Sequence, residues 1–253
     1  NRDEVFPGTP VVFCGVNYFD EGRRKGRPLV TGVSEDADLG ASLDTALSLH
    51  PGTRRVYVVN DDTETGLMVR ARLAQIGPSW KGVPLEPLDG LPMERLLERL
   101  RSLPPRSLVF FTFYSRDATG RVFGYDESMR LVSRASNAPV YGAWDFNLGL
   151  GLVGGNLTSG FDQGETAWNI ALRVLRGEDP ASIPVVRNLP GRYLFDHREL
   201  VRWGIPSSRL PAGSAVINLP ESAYSRYRKV ILIGAGALIL LGVLNAVLAL
   251  NIS

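Results

Sequence analysis

The sequence predicts a doubly wound α/β protein with a mostly parallel sheet between two helical layers, followed by one long apolar helix. Three observations carry this. Short β-branched or aromatic runs alternate with helical patterns along most of the 253 residues, and such alternation implies parallel strands joined by helical crossovers. The run LVFFTF at 108–113 is apolar without alternation, as expected of a strand covered on both faces. The stretch Val230–Ile252, twenty-three residues, contains no charge, although the rest of the chain is charged and punctuated by glycine and proline.

Taken in order, the expected elements are a strand at Val11–Val16, a helix at Leu39–Leu49, a strand at Arg55–Val59 and a helix at Thr63–Ile76. A helix at Met93–Leu103, a strand at Ser107–Phe113, a helix at Tyr125–Ser136 and strands at Pro139–Tyr141 and Gly151–Val153 follow. Gln163–Arg176 is a helix by the spacing of Trp168, Ala171, Leu172 and Leu175, and it closes on Gly177 with Pro180 beyond. The remainder gives a strand near Pro184–Val186, a strand and helix within Arg192–Trp203, and a strand at Ser214–Asn218.

As a helix, 230–252 spans about 34 Å, enough for a hydrocarbon core of about 30 Å. Tyr224 and Tyr227 suit the membrane interface, and Arg226, Arg228 and Lys229 end the apolar run. Gly242 and Ala246 form a small-xxx-small pair, open equally to a homodimer contact and to lipid. The basic flank alone would place the globular part in the cytoplasm, but large domains translocate largely regardless of such charge. The chain begins with Asn and shows no signal segment, so it is expected to be part of a longer or processed protein.

Net charge is only +2 and the basic residues are scattered, which argues against nucleic acid as a partner. Cys14 is the sole cysteine, excludes an internal disulfide, and is expected to be buried in its strand. Gly149–Gly154 spells GxGxxG, yet the third glycine opens no helix, so a close approach of two backbones is favoured over a nucleotide cradle. His50 is expected to cap a helix end, and His197 has no second ligand at metal spacing. Asp61 and Asp62 fit a turn as well as an acid/base pair. No catalytic constellation, cofactor or metal site emerges.

What does stand out is a series of polar and aromatic residues just after the strands: Asn17, Tyr18 and Phe19; Asp61 to Thr65; Thr112 to Ser115; Trp144 and Asp145. Ligands of open α/β sheets bind outside the carboxyl ends of the strands. The expected ligand-binding set is therefore Asn17, Asp61, Thr65, Thr112, Tyr114, Trp144 and Asp145. The ligand is expected to be a small organic molecule with an aromatic or apolar body stacked on Tyr114 and Trp144 and a polar end. The carboxylates of Asp61 and Asp145 favour an amine on it.

The phrases FPGTPVVFCGVN, VTGVSEDAD, LHPGTRRVYVVNDDTETG, APVYGAWDFNLGLGLVGG, GFDQGETAWNIALRVLRGEDPASIPV and YLFDHRELVRWGIPSSRLPAGSAVIN, leading through YSRYRKV into the apolar helix, follow one another in an order that resembles the periplasmic-binding-protein-like family. Within it, the chain is similar to the ABC-transporter substrate-binding-like sensor domains of bacterial membrane signalling proteins, chiefly sensor histidine kinases. The resemblance implies two Rossmann-like lobes of type I, with ligand between them and hinge closure as the signal. Lobe I would comprise 1–32 and 146–220 with its N-terminal part missing, lobe II 33–145, a connector 221–229, and a transmembrane helix 230–252. It also implies a globular part outside the cytoplasm, anchored in the inner membrane, with a kinase core after residue 253. The alternatives are a membrane-anchored solute-binding component of an importer and an enzyme using Gly149–Gly154 for a nucleotide.

Overall fold

The chain opens with β1 (Val11–Asn17) and β2 (Val30–Glu35), a two-stranded parallel sheet with an irregularity between Phe13 and Val16. The structure, a computed structural model, describes residues 5–221 and 223–252, without the side chains of 223–225 and 243–252. After β2 come α1 (Leu39–Leu49), β3 (Arg55–Val59), α2 (Glu64–Ile76), β4 (Ser79–Trp80), β5 (Val83–Pro87), α3 (Met93–Arg101), β6 (Ser107–Phe111), α4 (Tyr125–Ala135) and β7 (Val140–Gly142). These build a five-stranded sheet in the order β4–β5–β3–β6–β7. All its pairs are parallel except the short β4–β5 hairpin. The doubly wound α/β architecture expected from the alternation is therefore present.

Side chains that alternate along β3 and β6 feed two separate cores, because successive residues of a strand point to opposite faces. Val56, Val58, Leu108 and Phe110 pack with Leu43 and Ala46 of α1 and Val69 of α2. Tyr57, Val59, Val109 and Phe111 pack with Leu96 and Leu100 of α3 and Met129 and Val132 of α4. Every residue of β6 is buried, which explains its unbroken apolar sequence.

The rest of the globular unit consists of β8 (Gly154–Leu157), α5 (Gly160–Leu175), β9 (Arg192–Asp196), α6 (His197–Arg202) and β10 (Ala215–Ile217). β9 is central in a sheet of three, antiparallel to β8 and parallel to β10. This part divides: Val153, Phe195, Leu200 and Ile205 join the core that holds α1, whereas α5 forms a small core of its own with Val33 of β2 and Ile183. The buried stripe of α5 is Gln163, Ala167 and Ile170. Trp168 and Leu175, whose spacing announced the helix, are on its exposed side. Cys14, expected inside its strand, is exposed.

The expected strand at Gly151–Val153 lies three residues later, at β8. At Gly154, which has φ +144°, a Cβ would fall 2.2 Å from the Leu194 carbonyl oxygen. At the third glycine of the GxGxxG spelling two backbones are thus brought together, whereas a Cβ on Gly151 would meet the Ser133 side chain. Gly154→Ala is expected to destabilise the fold by about 3 kcal/mol through backbone strain and clash, measurable as a lower urea midpoint.

His50 follows the last residue of α1, but its ring does not reach back to the helix carbonyls. Its Nε2 lies 2.9 Å from the Tyr141 hydroxyl. Burial, assisted by the positive charge of Arg209, holds its pKa at about 4. Because the folded value is below the unfolded one, the unfolded chain takes up the proton first. Stability is therefore expected to fall as pH drops from about 6.5 to about 4, where His50 finally titrates in the fold. In His50→Gln, that part of the pH dependence of the urea midpoint disappears.

Residues Leu219–Ser253 form a second unit, which contains α7 (Ala223–Ile252). Among the described residues no helix is long and apolar enough to cross a membrane. The described side chains of α7 run from 226 to 242, so much of the expected span 230–252, with Ala246 of the small-residue pair, lies outside them. Apolar side chains within that range, such as Ile233 and Leu238, are exposed.

Candidate binding site at the strand ends

Asn17 and Glu35, the last residues of β1 and β2, are partners in the parallel ladder. Glu35 lies two positions beyond Val33, so it occupies the sheet face that carries α5. Its Oε1 accepts a 2.7 Å hydrogen bond from Trp144 Nε1, just past β7. The backbone then fixes Trp144 and Asp145 against the start of α5: Thr158 N–H donates to the Ala143 carbonyl at 2.8 Å and Asp145 N–H to the Thr158 carbonyl at 3.1 Å. Asp145 Oδ1 accepts from Gly160 N–H, the first residue of α5, at 3.3 Å. Ser159 caps the helix, and Gln163 in its first turn donates through Nε2 to the Ser34 carbonyl at 3.4 Å. The carboxyl ends of β1, β2 and β7 and the amino end of α5 thereby meet at one place.

Polar groups without partners gather at this place: Asn147, two residues past Asp145, is fully buried and leaves both its Oδ1 and its Nδ2 unpaired. Trp144 is 1 % exposed and Gln163 3 %. Gln163 Oε1 and Asn17 Oδ1 are buried without a hydrogen-bond partner. The Ser34 carbonyl can accept only from an N–H, so it fixes which end of the Gln163 amide is left over. Burial raises the pKa of Glu35; the Trp144 N–H opposes this and the charge of Asp145 adds to it. Among the described residues, neither Glu35 nor Asp145 has an ion-pair partner. Next to these acceptors stands an aromatic group. Phe113 lies 4.5 Å from Trp144 and 6.2 Å from both Tyr125 and Phe146, ring centre to ring centre. Tyr125 and Phe146 are 54 % and 43 % exposed and offer their rings to a ligand.

The seven residues expected from the sequence do not all converge here. Asn17, Trp144 and Asp145 do. Asp61 is buried and fully engaged: Oδ1 accepts from the Thr63 N–H and hydroxyl, at 3.1 and 2.6 Å. Oδ2 accepts from the N–H and hydroxyl of Ser115, at 2.8 and 3.0 Å, and from Arg116 N–H at 3.3 Å. Thr112 donates between the Val59 carbonyl and Asn60 Oδ1, at 2.9 and 2.8 Å, and is likewise buried. Thr65 is half-buried in the first turn of α2. Tyr114 belongs to the core on the α3 side, where its hydroxyl donates to the Leu91 carbonyl and its ring packs near Phe123. Trp144 is covered by Phe113, so the rings accessible for stacking are Tyr125 and Phe146. Glu35, Gln163, Phe113, Tyr125 and Phe146 were absent from the expected set.

A cleft of about 590 Å³ lies beside this site, lined among others by Tyr18, Asp36, Arg72, Trp80, Asn156 and Arg187. Its polar groups largely satisfy one another: Arg187 is 3.3 Å from Asp36 and also donates to the Phe19 carbonyl. Tyr18 donates to the Ala37 carbonyl at 3.3 Å, and burial raises its pKa. Among the described residues no group of three His, Cys, Asp or Glu is placed to hold a metal ion.

No family model matches the chain, and no curated protein matches it in sequence. Solved structures do match in fold. A conserved domain protein from Vibrio cholerae superposes with a TM-score of 0.60 at 18% identity, over 85% of this chain and 74% of that one. The ABC domain in complex with L-Trp from Streptococcus pneumoniae gives 0.61 at 17%, over 82% and 72%. The ligand-free, open structure of CD0873, a substrate-binding protein from Clostridium difficile, gives 0.58 at 16%, over 76% and 63%. This chain thus shares the mixed α/β fold of these three solved structures.

Proposed function

We propose that this chain is the small-molecule-binding sensor region of a membrane-bound signal transducer, of the kind its sequence resembles. The observation that carries the binding function is the pair of buried, unpaired oxygens of Asn17 and Gln163 beside the Glu35–Trp144 hydrogen bond, at the strand ends where α/β sheets bind ligands. The likeness in fold to the Clostridium difficile substrate-binding protein and to the domain in complex with L-Trp supports the same reading. In this proposal β1, β2 and α5 belong to one lobe and the five-stranded sheet to the other. The segments after Glu35 and around Trp144 hinge them, and ligand closes the cleft. The sequence 230–252 anchors the region in the inner membrane, with the globular unit outside the cytoplasm. A phosphorelay domain follows beyond residue 253.

Thermal-shift screening of the full chain in detergent micelles tests the binding function, since a ligand at about 100 times its dissociation constant adds about 2.7 kcal/mol. A hit is expected to lose most of its effect in Phe146→Ala; an unchanged shift places the site elsewhere. Cys14 is the only cysteine and is exposed, so the native chain tests its own topology. A membrane-impermeant maleimide should label it in intact spheroplasts, and labelling only after lysis reverses the orientation. The substrate-binding proteins of like fold also favour a second reading, a solute-binding component of an importer. A stop codon directly after residue 253 would select it over the transducer.

A further inference from the structure

Resting on the binding function proposed above, we infer that the ligand is an amine without a carboxylate: an ammonium-bearing molecule with an aromatic or branched apolar body, and not an amino acid. Asn147, two residues past Asp145, is buried and leaves both its amide oxygen and its amide nitrogen unpaired. Two further oxygen acceptors are buried without partners, Asn17 Oδ1 and Gln163 Oε1. They share the site with the carboxylate of Glu35, whose Oε1 takes a single N–H from Trp144. An ammonium supplies donors and the compensating charge together, which neither a neutral nor an anionic group does. The oxygen of Gln163 cannot turn away, because its amide nitrogen is engaged with Ser34.

A ligand carboxylate finds the opposite conditions. The amino end of α5, the natural seat for an anion, is already met by the Asp145 carboxylate at Gly160 N–H and by the Ser159 hydroxyl at Asp162 N–H. The cation at the neighbouring strand end, Arg187, is engaged by Asp36, Glu21 and the Phe19 carbonyl. A carboxylate placed beside Glu35 and Asp145 meets two like charges. The body of the ligand then lies toward Tyr125 and Phe146, whose ring centres are 5.7 Å apart.

Calorimetric titration of the full chain in micelles tests this with three matched sets. Tryptamine, phenethylamine and isoamylamine are each compared with the amino acid and the carboxylic acid of the same body. At least one amine should bind ten times or more tighter than its amino acid, with no detectable binding of the acids. Glu35→Gln keeps the acceptor for Trp144 and Asp145→Asn keeps an acceptor oxygen for Gly160 N–H, so both are expected to fold and to weaken the amine at least tenfold. An amino acid or acid that binds as tightly as its amine overturns the inference, as does failure of all three amines. If that binder is lost in Phe146→Ala, the site stands and only the ligand class is wrong. If it binds Phe146→Ala and Glu35→Gln as it binds the native chain, the site itself is refuted.

Discussion

Replacing Asp61 by alanine is expected to lower the stability of the globular unit by about 3–5 kcal/mol, the largest loss for any single change near the strand ends. The carboxylate receives five donors from Thr63, Ser115 and Arg116, and so ties the loop after β3 to the loop after β6. Hydrogen bonds to a charged acceptor contribute about 1.5–3 kcal/mol each, but they are not additive, and the donors left behind regain water only in part. The fit is close as well: a Cβ on Gly66 would lie 2.3 Å from both the carbonyl and Oδ1 of Asp61. Asp61→Asn retains one acceptor oxygen and should lose roughly half as much as alanine. Urea unfolding measures both, and a change below about 0.5 kcal/mol for Asp61→Ala would show that the loops do not depend on this carboxylate.

Trp144→Ala is the second large effect, an expected loss of about 4 kcal/mol. The side chain is among the largest that are fully buried, and its removal leaves a cavity beside Phe113. It also removes the N–H that holds Glu35, leaving a half-buried carboxylate without its donor. Trp144→Phe separates the two contributions by keeping most of the ring. The phenylalanine variant should lose about 1–3 kcal/mol, with ligand affinity falling because Glu35 is no longer positioned. Equal losses for phenylalanine and alanine would mean that packing contributes nothing, contrary to the burial.

Much of the fold was legible because local signals and burial agree. α1 and β3 have the bounds that periodicity and β-branching give, and the unbroken apolar run of β6 reflects cover on both faces. β2 was not legible as a strand: Gly32 interrupts it and the acidic run after Ser34 resembles a loop. In the fold that glycine is required, since a Cβ there would lie 2.2 Å from the Phe13 carbonyl oxygen. Missing β2 meant missing Glu35 at its end. On α5 two of the residues that signalled a helix, Trp168 and Leu175, are exposed and the other two, Ala171 and Leu172, are half-buried, while Gln163, Ala167 and Ile170 fill the buried side.

For the site, the rule that ligands gather at strand ends selected Asn17, Trp144 and Asp145. It could not separate them from Asp61 and Thr112, which have the same residue types in equivalent positions. What distinguishes Asp61 is that its donors on Ser115 come from 54 residues away, a pairing that sequence spacing does not show. Gln163 differs from a capping or solvated amide only through the Ser34 carbonyl, again a contact across the fold.

Binding of a small molecule where β1, β2, β7 and α5 meet can be read by hydrogen exchange with mass spectrometry on the full chain, with and without a stabilising compound. Slowed exchange is expected in 17–19, 34–36, 143–147 and 159–163, with little change in β3 and β6. Slowed exchange confined to other segments, such as 70–80 and 187–191 around the neighbouring cleft, would contradict it.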